Sequence, residues 1–401
     1  EITPYRIDEK YTDKRHPDSI RFAKTIEEDL ARRDFTINAI AADWKLEIID
    51  PFNGREDLEN KIIRAVGKAK DRFSEDALRM IRAVRLAATL NFKIEEKTAK
   101  AIKENAPWLQ AISKERIKDE FLKIIMTERA SDGVELLRQL SLLKYIIPEL
   151  EEGYKVTQNK HHIYECYEHY LRSLEFAAKR NFNKHVRLAA LFHDIGKPRT
   201  KRGEGPDATF YGHEVVGAKM TIKILNRLKF SKKDIEKIAK LVRYHLFYYN
   251  PDEVGDSSVR RLVRQVGPEN MEELLEVRMA DRIGSGVPKA EPYKLRHLRY
   301  LIEKVSQDPI SVKMLKVKGT DAIKILKIQP GPKVGQILDI LLSYVLEEPK
   351  KNKKEFLEKE IKKLGELSDE KLKNLAQKAK KEREKLEMKR DEMTKQKYWV
   401  T

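Results

Sequence analysis

The amino-acid sequence predicts a mainly α-helical protein of several domains that begins with a small α/β segment. Residues 1–69 contain the convincing strand-like stretches, which are EITPYRI, SIRFA and LEIIDPF, and one short helix in FTINAIAAD. From Asp71 to about Leu150, apolar residues recur at helical spacing with almost no Gly or Pro between them. Because 401 residues exceed one core of ordinary size, we expect two to four domains.

Four segments follow from this pattern. Residues 1–69 form the α/β segment and residues 70–152 a helical domain. In residues 153–304 the helices are separated by histidine-bearing loops, and GEGPD (203–207) marks a turn. Residues 305–401 form a basic helical region in which Pro330 and Pro332 flank Gly331 before a helix, and the charged tail beyond Glu366 is expected to be a solvated helix.

The charge balance points to a polyanionic partner. Lys and Arg number 83 against 65 Asp and Glu, which gives a net charge of +18 and favours nucleic acid over a membrane surface. The single cysteine, Cys166, provides neither a disulfide framework nor a thiolate metal site, and a reducing cytoplasm fits it best. The apolar runs are too short to span a bilayer, so no membrane partner is expected.

Histidine and aspartate recur in a set order through the third segment. His193 and Asp194 are adjacent in LAALFHDIGKPRT, His169 lies one helix earlier, and the later members are His213, His245 and Asp281. Any one of them alone would be an ordinary core or surface residue. Together, imidazole and carboxylate ligands suit Mn, Fe, Co, Ni or Mg ions, which activate water for attack on phosphorus.

Residues 155–290 resemble the HD phosphohydrolase superfamily, an all-helical fold with the signature H…HD…D. The resemblance implies that His169, His193, Asp194 and Asp281 are metal ligands and that His213 and His245 can hold a second ion. It also implies a phosphate contact for Lys197. Four further histidines in the later part of the chain have no such place and are left as ordinary polar residues: His161, His162, His185 and His297.

The stretch RFSEDALRMIRAVR (72–85) concentrates charge on what the spacing predicts to be one helix. At 100° per residue, Arg72, Asp76 and Arg79 share a stripe opposite an apolar face. Taken alone, the stripe is compatible with a solvated ladder of salt bridges. Its neighbours in the sequence favour a functional interpretation.

Three motifs follow one another at short intervals: DLARRDFTINAIA (29–41), IIDPFNGREDLENKIIRAVG (48–67) and RFSEDALRMIRAVRLAATLNF (72–92). Together they resemble the class II tRNA nucleotidyltransferase and poly(A) polymerase family of the bacterial type with an HD domain. The resemblance implies a partial nucleotidyltransferase head, a helical neck, an HD domain and a helical tRNA-binding region. It assigns nucleotide binding to a set of residues: Arg32, Arg33, Asp34, Asn38, Glu75, Asp76, Arg79 and Arg82.

An Asp/Arg pair can select bases without a nucleic-acid template. Cytosine and adenine both present an exocyclic amino donor beside a ring-nitrogen acceptor, whereas uracil and guanine present a carbonyl beside an N–H. A carboxylate such as Asp76 accepts from the amino group and a guanidinium such as Arg79 donates to the ring nitrogen. The mismatched bases leave both side chains unpaired, which gives large discrimination.

The family's magnesium centre, a Gly-Gly turn followed by Arg-Asp and Asp-x-Asp, has no counterpart in this sequence. We therefore expect that an N-terminal catalytic segment is absent and leave the catalytic residues unassigned. A chain without that centre is expected to bind nucleotide poorly and to polymerise nothing. The alternative is a degenerate paralogue that kept RNA binding and the HD site.

Two further segments are interpreted through the same resemblance. The charged loop Ile7–Phe22 corresponds to one that accompanies addition of the terminal A, although it also suits a plain exposed connection. The segment Lys318–Leu338 resembles helices that grip the tRNA body, with lysines as phosphate contacts.

The resemblance thus implies a Mg²⁺-dependent enzyme that adds or repairs the CCA end of tRNA from CTP and ATP. The alternatives are a metal-dependent phosphohydrolase on an RNA-binding frame, a poly(A) or A-adding polymerase, and a non-catalytic RNA-binding protein. A homodimer is compatible with the sequence.

Overall fold

A computed structural model describes residues 4–9, 19–159, 163–251, 253–306 and 312–400. Contacts divide the chain into two compact units, one of residues 1–248 with 266–291 and the other of residues 249–265 with 292–401. Each unit is mainly helical, which confirms the predicted fold class. Within the described ranges, no helix has the length and apolar character needed to cross a membrane.

The strands are short and pair two by two. They are β1 (Arg6–Glu9), β2 (Ser19–Phe22), β3 (Ala41–Ala42), β4 (Ile48–Ile49), β5 (Ile62–Ile63) and β6 (Lys93–Ile94). The pairs β1–β2 and β3–β4 are antiparallel, with Arg6 opposite Phe22 and Ala41 opposite Ile49, and β5–β6 is parallel. Residues 1–3 of the predicted first strand, residues 10–18 of the loop Ile7–Phe22, and His161 and His162 lie outside the described residues.

The helices follow in chain order. Those before residue 152 are α1 (Ile26–Ala31), α2 (Gly54–Glu59), α3 (Ala69–Glu75), α4 (Leu78–Leu90), α5 (Glu96–Asn105), α6 (Lys114–Ile125), α7 (Ala130–Gln139), α8 (Leu143–Ile146) and α9 (Pro148–Glu151). The next are α10 (Cys166–Lys179), α11 (Lys184–Phe192), α12 (Lys197–Thr200), α13 (His213–Arg227), α14 (Lys232–Tyr244), α15 (Asp256–Val266) and α16 (Met271–Gly284). The last are α17 (Tyr293–Ser306), α18 (Gly319–Leu326), α19 (Pro332–Glu347), α20 (Lys354–Gly365) and α21 (Asp369–Lys397).

The predicted short helix in FTINAIAAD is a single 3₁₀ turn, Thr36–Asn38, followed by β3. The Asp34 carboxylate accepts from the Phe35 N–H at 3.0 Å and from the Asn38 side chain at 3.1 Å. Because these bonds stabilise a tight turn, they compete with a regular helix. The predicted helix is therefore corrected to one turn.

The prediction of one helix through residues 72–85 is wrong. α3 ends at Glu75, and Asp76 is extended (φ −143°, ψ 103°) before α4 begins at Leu78. The Asp76 carboxylate accepts from the Leu78 N–H at 3.1 Å, which is how Asp often initiates a helix. Asp76 therefore does not lie on a shared helical stripe with Arg72 and Arg79.

A buried arginine on α11 connects this helix to the end of α6 by hydrogen bonds. The Arg187 side chain on α11 is 1% exposed and donates to the carbonyl oxygens of Ile125 and Thr127 at 3.0 and 2.8 Å. It also donates to the Phe182 carbonyl at 2.7 Å and to the Asn181 side chain at 3.1 Å. Because helix ends leave carbonyls without helical partners, one guanidinium satisfies several of them here.

The bundle that carries the histidines packs α10 against α11 and α16, and α13 against α14. A glycine fixes the turn after α11. A β-carbon at Gly196 would lie 2.2 Å from the His213 carbonyl oxygen and 2.7 Å from the Gly217 nitrogen. Since contacts this short are forbidden, only glycine lets the turn approach the start of α13.

In the second unit, α18–α21 enclose an apolar core to which α19 contributes Ile337 and Leu341. α19 begins at Pro332, after the predicted turn around Gly331. The tail is the long helix α21, and the prediction of a solvated helix is corrected on one face. Leu372 and Ala376 of α21 are buried in this core.

The surroundings of Asp234 predict that this side chain stabilises the fold at neutral pH and that acid removes the stabilisation. Its carboxylate lies 2.6 Å from His185 Nε2, 2.9 Å from Lys184 Nζ and 2.8 Å from Ser231 Oγ, so it joins the first turns of α11 and α14. Burial opposes ionisation, but these partners lower the pKa of Asp234 to about 2. The stabilisation is therefore present above about pH 4, the unfolded value, and is lost as the pH falls through about 2.

We expect Asp234→Asn to lower the free energy of unfolding by about 1 kcal/mol at pH 7, a value reduced for the partial exposure of the site. Urea unfolding at a series of pH values measures the difference between variant and wild type. The exposed Glu236→Gln on the same helix is the control. A difference that does not shrink as the pH falls below 4 would contradict the assignment to Asp234.

Candidate metal centre and nucleotide site

Four buried side chains of the first unit converge on one point. The ligand atoms of His169, His193, Asp194 and Asp281 all lie within 4.8 Å of one another. The two histidine Nε2 atoms are 2.8 Å apart, and His169 Nε2 lies 3.1 Å from Asp194 Oδ2 and 3.4 Å from Asp281 Oδ1. The structure thus brings together residues from α10, from α11 with its following turn, and from α16.

Asp194 joins this group to a second one. Its other oxygen, Oδ1, lies 3.1 Å from His213 Nε2 and 3.5 Å from His245 Nε2, and these three residues form a compact, buried set. The close approach at Gly196 holds His213, at the start of α13, beside the turn that carries Asp194. The other five sequence-predicted metal ligands therefore lie around the Asp194 carboxylate.

Backbone hydrogen bonds orient three of the imidazoles. His193, His213 and His245 each place Nδ1 2.7–2.8 Å from the carbonyl oxygen three residues earlier. A carbonyl oxygen only accepts, so Nδ1 carries the proton and Nε2 presents its lone pair to the cluster when the ring is neutral. Bonds of this kind are the usual support for a histidine that binds metal.

The cluster favours positive charge at His193 but not at His245, whose pKa is lowered by burial. Burial alone would lower the pKa of His193. The carboxylates of Asp194 and Asp281 outweigh this effect and raise the pKa to about 10. Burial likewise opposes ionisation of Asp194, but Lys197 and His193 hold the pKa of Asp194 well below its usual value. Two ionised carboxylates and several imidazole nitrogens around one point are a set that fits a divalent ion.

Lys197 lies inside the site, where its ammonium has close protein partners. Nζ is 2.6 Å from Asp194 Oδ2 and 2.6 Å from Gln158 Oε1, and the side chain is 6% exposed. Lys197 thereby holds the Asp194 carboxylate in position. The phosphate contact predicted for Lys197 stays a prediction. Sequence reasoning missed Gln158, whose position 39 residues before Lys197 carries no local signal.

A cavity of about 840 Å³ opens over the cluster. Its walls include the predicted ligands Asp194, His213, His245 and Asp281, together with Lys197. Arg278 and Arg282 of α16 and Tyr211 before α13 also line it. The cavity is large enough for a nucleotide-sized molecule.

The predicted nucleotide residues meet between the first motif and α4. Arg82 Nη2 lies 2.6 Å from Asp34 Oδ2, and the Asn38 side chain donates to the other oxygen of Asp34. Arg79 donates to the Arg32 carbonyl at 3.1 Å. Residues that are separated by about 45 positions thus form one polar surface.

Arg32 and Arg33 are held by an aspartate that sequence reasoning missed. Both guanidinium groups bond the buried Asp29, at 2.7 and 3.0 Å. Burial opposes ionisation, yet the hydrogen bonds from Arg32, Arg6 and Arg33 lower the pKa of Asp29. The aspartate stays charged and fixes the direction of the two arginines.

The two members of the predicted base-reading pair have different partners. Arg79 Nη1 lies 2.5 Å from Glu75 Oε2, whereas Asp76 Oδ2 lies 2.6 Å from Arg116 Nη2 on α6. Arg116 was not predicted, because a contact across 40 residues leaves no pattern in the sequence. Glu75, which the resemblance includes among the nucleotide-binding residues, orients the Arg79 guanidinium through this bond.

Comparison with known proteins places these elements. The helical bundle with its histidine–aspartate cluster is an HD domain, and residues 166–284 match the model of that family. Residues 1–64 match "Poly A polymerase head domain" and residues 91–153 match "Probable RNA and SrmB- binding site of polymerase A". These matched ranges do not fix the segment boundaries near residues 69, 152 and 304, which stay predictions.

Two relatives cover most of the chain. The A-adding tRNA nucleotidyltransferase of Deinococcus radiodurans is 34% identical over 339 residues, 81% of this chain and 76% of the relative. The CCA-adding enzyme of Enterococcus faecalis is 30% identical over 364 residues, 89% of this chain and 76% of the relative. The chain belongs to the tRNA nucleotidyltransferase family.

A solved structure agrees with this assignment. The crystal structure of the Bacillus stearothermophilus CCA-adding enzyme in complex with CTP aligns with a TM-score of 0.56 and 27% identity. The alignment covers 90% of this chain and 78% of the other. This breadth supports the mainly helical multidomain architecture.

Proposed function

We propose that this protein adds or repairs the 3′-terminal CCA sequence of tRNA from CTP and ATP, with Mg²⁺ as the ion for nucleotidyl transfer. The observation that carries the proposal is the polar surface where Arg32 and Asp34 of the first motif meet Arg79 and Arg82 of α4. The relatives named as A-adding and CCA-adding enzymes support it. The residues that hold Mg²⁺ for this reaction are unassigned. We infer a cytoplasmic location from the proposed substrates.

Base selection by Asp76 and Arg79 is compatible with their present partners. Asp76 accepts from Leu78 and Arg116, and a carboxylate has lone pairs for about four donors. Arg79 donates to Glu75, Arg72 and Arg32, and a guanidinium carries five N–H groups. Asp76 can therefore accept, and Arg79 can donate, at least one further hydrogen bond to the edge of a base. Glu75 and Arg116 limit the motion of the two side chains.

We expect Arg79→Ala to reduce the preference for C and A over U and G by about 10- to 100-fold, because one base-edge contact is worth about 1–3 kcal/mol. Incorporation of each labelled nucleoside triphosphate into a tRNA that lacks its CCA end measures this preference, with wild type and variants prepared so that they include the family's magnesium-binding segment. The exposed Arg55→Ala is the matched control. Unchanged selection by Arg79→Ala would contradict the templating role, and no addition by the wild type would contradict CCA addition.

We propose a second activity, hydrolysis of phosphate esters such as 2′,3′-cyclic or 3′-phosphate ends of RNA, at the HD domain. The convergence of five other candidate ligands around Asp194 supports it. A bound Mn, Ni, Co, Fe or Mg ion would supply an activated water and polarise the phosphoryl group. Lys197 holds Asp194 in place, and the carbonyl-bonded histidines hold their Nε2 atoms toward the ion site.

The two activities are separable by substrate and ion. Addition of CCA to a tRNA transcript with Mg²⁺ tests the first. Phosphate release from a 2′,3′-cyclic or 3′-phosphorylated end with Ni²⁺ or Mn²⁺ tests the second. Phosphate release without nucleotide addition would favour the candidate in which the phosphohydrolase acts on an RNA-binding frame.

A further inference from the structure

Two arginines without a role in the proposed hydrolysis line the cavity over the HD cluster. Arg278 and Arg282 lie one turn apart on α16, the helix that also supplies Asp281. Residues at this i, i+4 spacing are neighbours on one helix face, about 6 Å apart. They give the cavity a positive wall directly beside the ligands.

The two guanidinium groups have different partners. Arg278 Nη1 lies 2.7 Å from Asp281 Oδ2, so it is already bound to a cluster carboxylate. Arg282 forms no ion pair within the described parts of the chain. Its polar contact is a long bond of 3.4 Å from Nη2 to the Lys289 carbonyl oxygen, and its buried Nε has no partner.

The Arg282 guanidinium therefore has N–H donors that its described neighbours leave unused. A buried N–H group without an acceptor costs free energy in the free protein. An anion in the cavity would relieve this cost by pairing with the guanidinium. A divalent ion at the cluster would make the cavity still more attractive to anions.

An aromatic surface completes the site. Tyr211 lines the cavity with 83% of its surface exposed, and Leu246 lines it with 53% exposed. An exposed tyrosine ring is a surface on which any nucleobase can stack. The cavity thus combines a metal cluster, a cationic wall and a flat apolar contact.

We propose that Arg282 binds a second, non-reacting phosphate and that the HD domain acts on the 3′ end of an oligonucleotide, whose last internal phosphate lies 5′ of the terminal nucleoside. This inference rests on the proposed phosphohydrolase function. In the reaction, a water oxygen bonds to the terminal phosphorus, the bond from phosphorus to O3′ breaks, and O3′ leaves with a proton as the hydroxyl. The products are the 3′-hydroxyl end and inorganic phosphate.

The experiment compares adenosine 3′-monophosphate with adenosine 3′,5′-bisphosphate, because they differ only in the 5′ phosphate. The wild type with Ni²⁺ or Mn²⁺ is expected to show a kcat/KM at least about tenfold higher for the bisphosphate, mainly through KM, since a hydrogen bond to a charged group is worth about 1.5–3 kcal/mol. Arg282→Gln is expected to lose this ratio, and Arg282→Lys to keep part of it. The exposed Arg180→Gln is the matched control and should keep the ratio.

A binding measurement separates this inference from the phosphohydrolase proposal. In EDTA no metal-dependent hydrolysis occurs, and the wild type should still bind the bisphosphate more tightly than Arg282→Gln does. If neither nucleotide is hydrolysed but this binding difference is found, the phosphohydrolase proposal fails and the second phosphate site stands. Equal binding and an equal ratio of kcat/KM in wild type and Arg282→Gln would overturn the site.

A short oligonucleotide with a 3′ phosphate tests the substrate class. We expect a triadenylate with this end to be hydrolysed with a kcat/KM at least equal to that of the bisphosphate, with the same loss in Arg282→Gln. Hydrolysis of the bisphosphate without hydrolysis of the oligonucleotide would overturn the assignment to nucleic-acid ends.

Discussion

Asp194→Asn is expected to abolish phosphate-ester hydrolysis, with a loss of about 1,000-fold or more. Asp194 has one oxygen toward His169 and the other toward His213 and His245, so it is the residue common to both groups of ligands. An amide replaces one of these oxygens by a donor NH₂ group, which cannot ligate a cation. The metal contributes several kcal/mol to such reactions, and each 1.36 kcal/mol is a factor of ten in rate.

Phosphate release from a 3′-phosphorylated oligonucleotide measures this loss, and metal content after dialysis measures the ligand role directly. The exposed Asp119→Asn is the control. Incorporation of CTP into tRNA by the variant should be unchanged, because Asp194 lies outside the nucleotide motifs. Metal content and hydrolysis equal to those of the wild type would contradict the assignment of Asp194 as the shared ligand.

Arg187→Met is expected to lower the free energy of unfolding by about 3 kcal/mol. Methionine fills part of the volume but leaves the oxygens of Ile125, Thr127 and Phe182 without their donor in a buried site. Each unsatisfied buried group costs about 1–3 kcal/mol, and water or small shifts recover part of that. Burial lowers the pKa of Arg187, and removal of this buried charge offsets some of the cost.

Urea unfolding followed by circular dichroism measures the change as a shift of the transition of the first unit. Arg180→Met, at the exposed end of α10, is the matched control and should shift the transition by less than about 0.5 kcal/mol. An equally small shift for Arg187→Met would show that its carbonyl contacts do not stabilise the fold.

The convergence of the histidine and aspartate side chains was predictable because these residue types rarely occur together in such an order. An ordered set of His and Asp on successive helices has few structural explanations, and all six residues meet in the bundle. The partners of Lys197 and Asp76 were not predictable, because Gln158 and Arg116 are ordinary residues at long sequence separation. Periodicity also missed the break at Asp76, since an apolar pattern continues across it while a single side-chain bond starts a new helix.

The C-terminal helix α21 shows that a highly charged sequence can also hide a buried face. The charged sequence of α21 predicts a helix correctly but hides its contact face, which consists of small or widely spaced residues such as Leu372 and Ala376. A face of this kind barely alters the mean hydropathy of a helix. Packing against α19 is decided by the partner helix, which sequence reasoning about α21 alone does not include.

The main-chain contact at Gly196 restricts the distance between Asp194 and His213 in the cluster. The turn after Asp194 touches the start of α13 through main-chain atoms, with no side chain between them. Separations set by side chains can be tuned by small substitutions, whereas a main-chain contact has no intermediate sizes. The spacing of the centre is therefore insensitive to drift in the surrounding core but has no tolerance at position 196, where the smallest added group would push His213 away from Asp194.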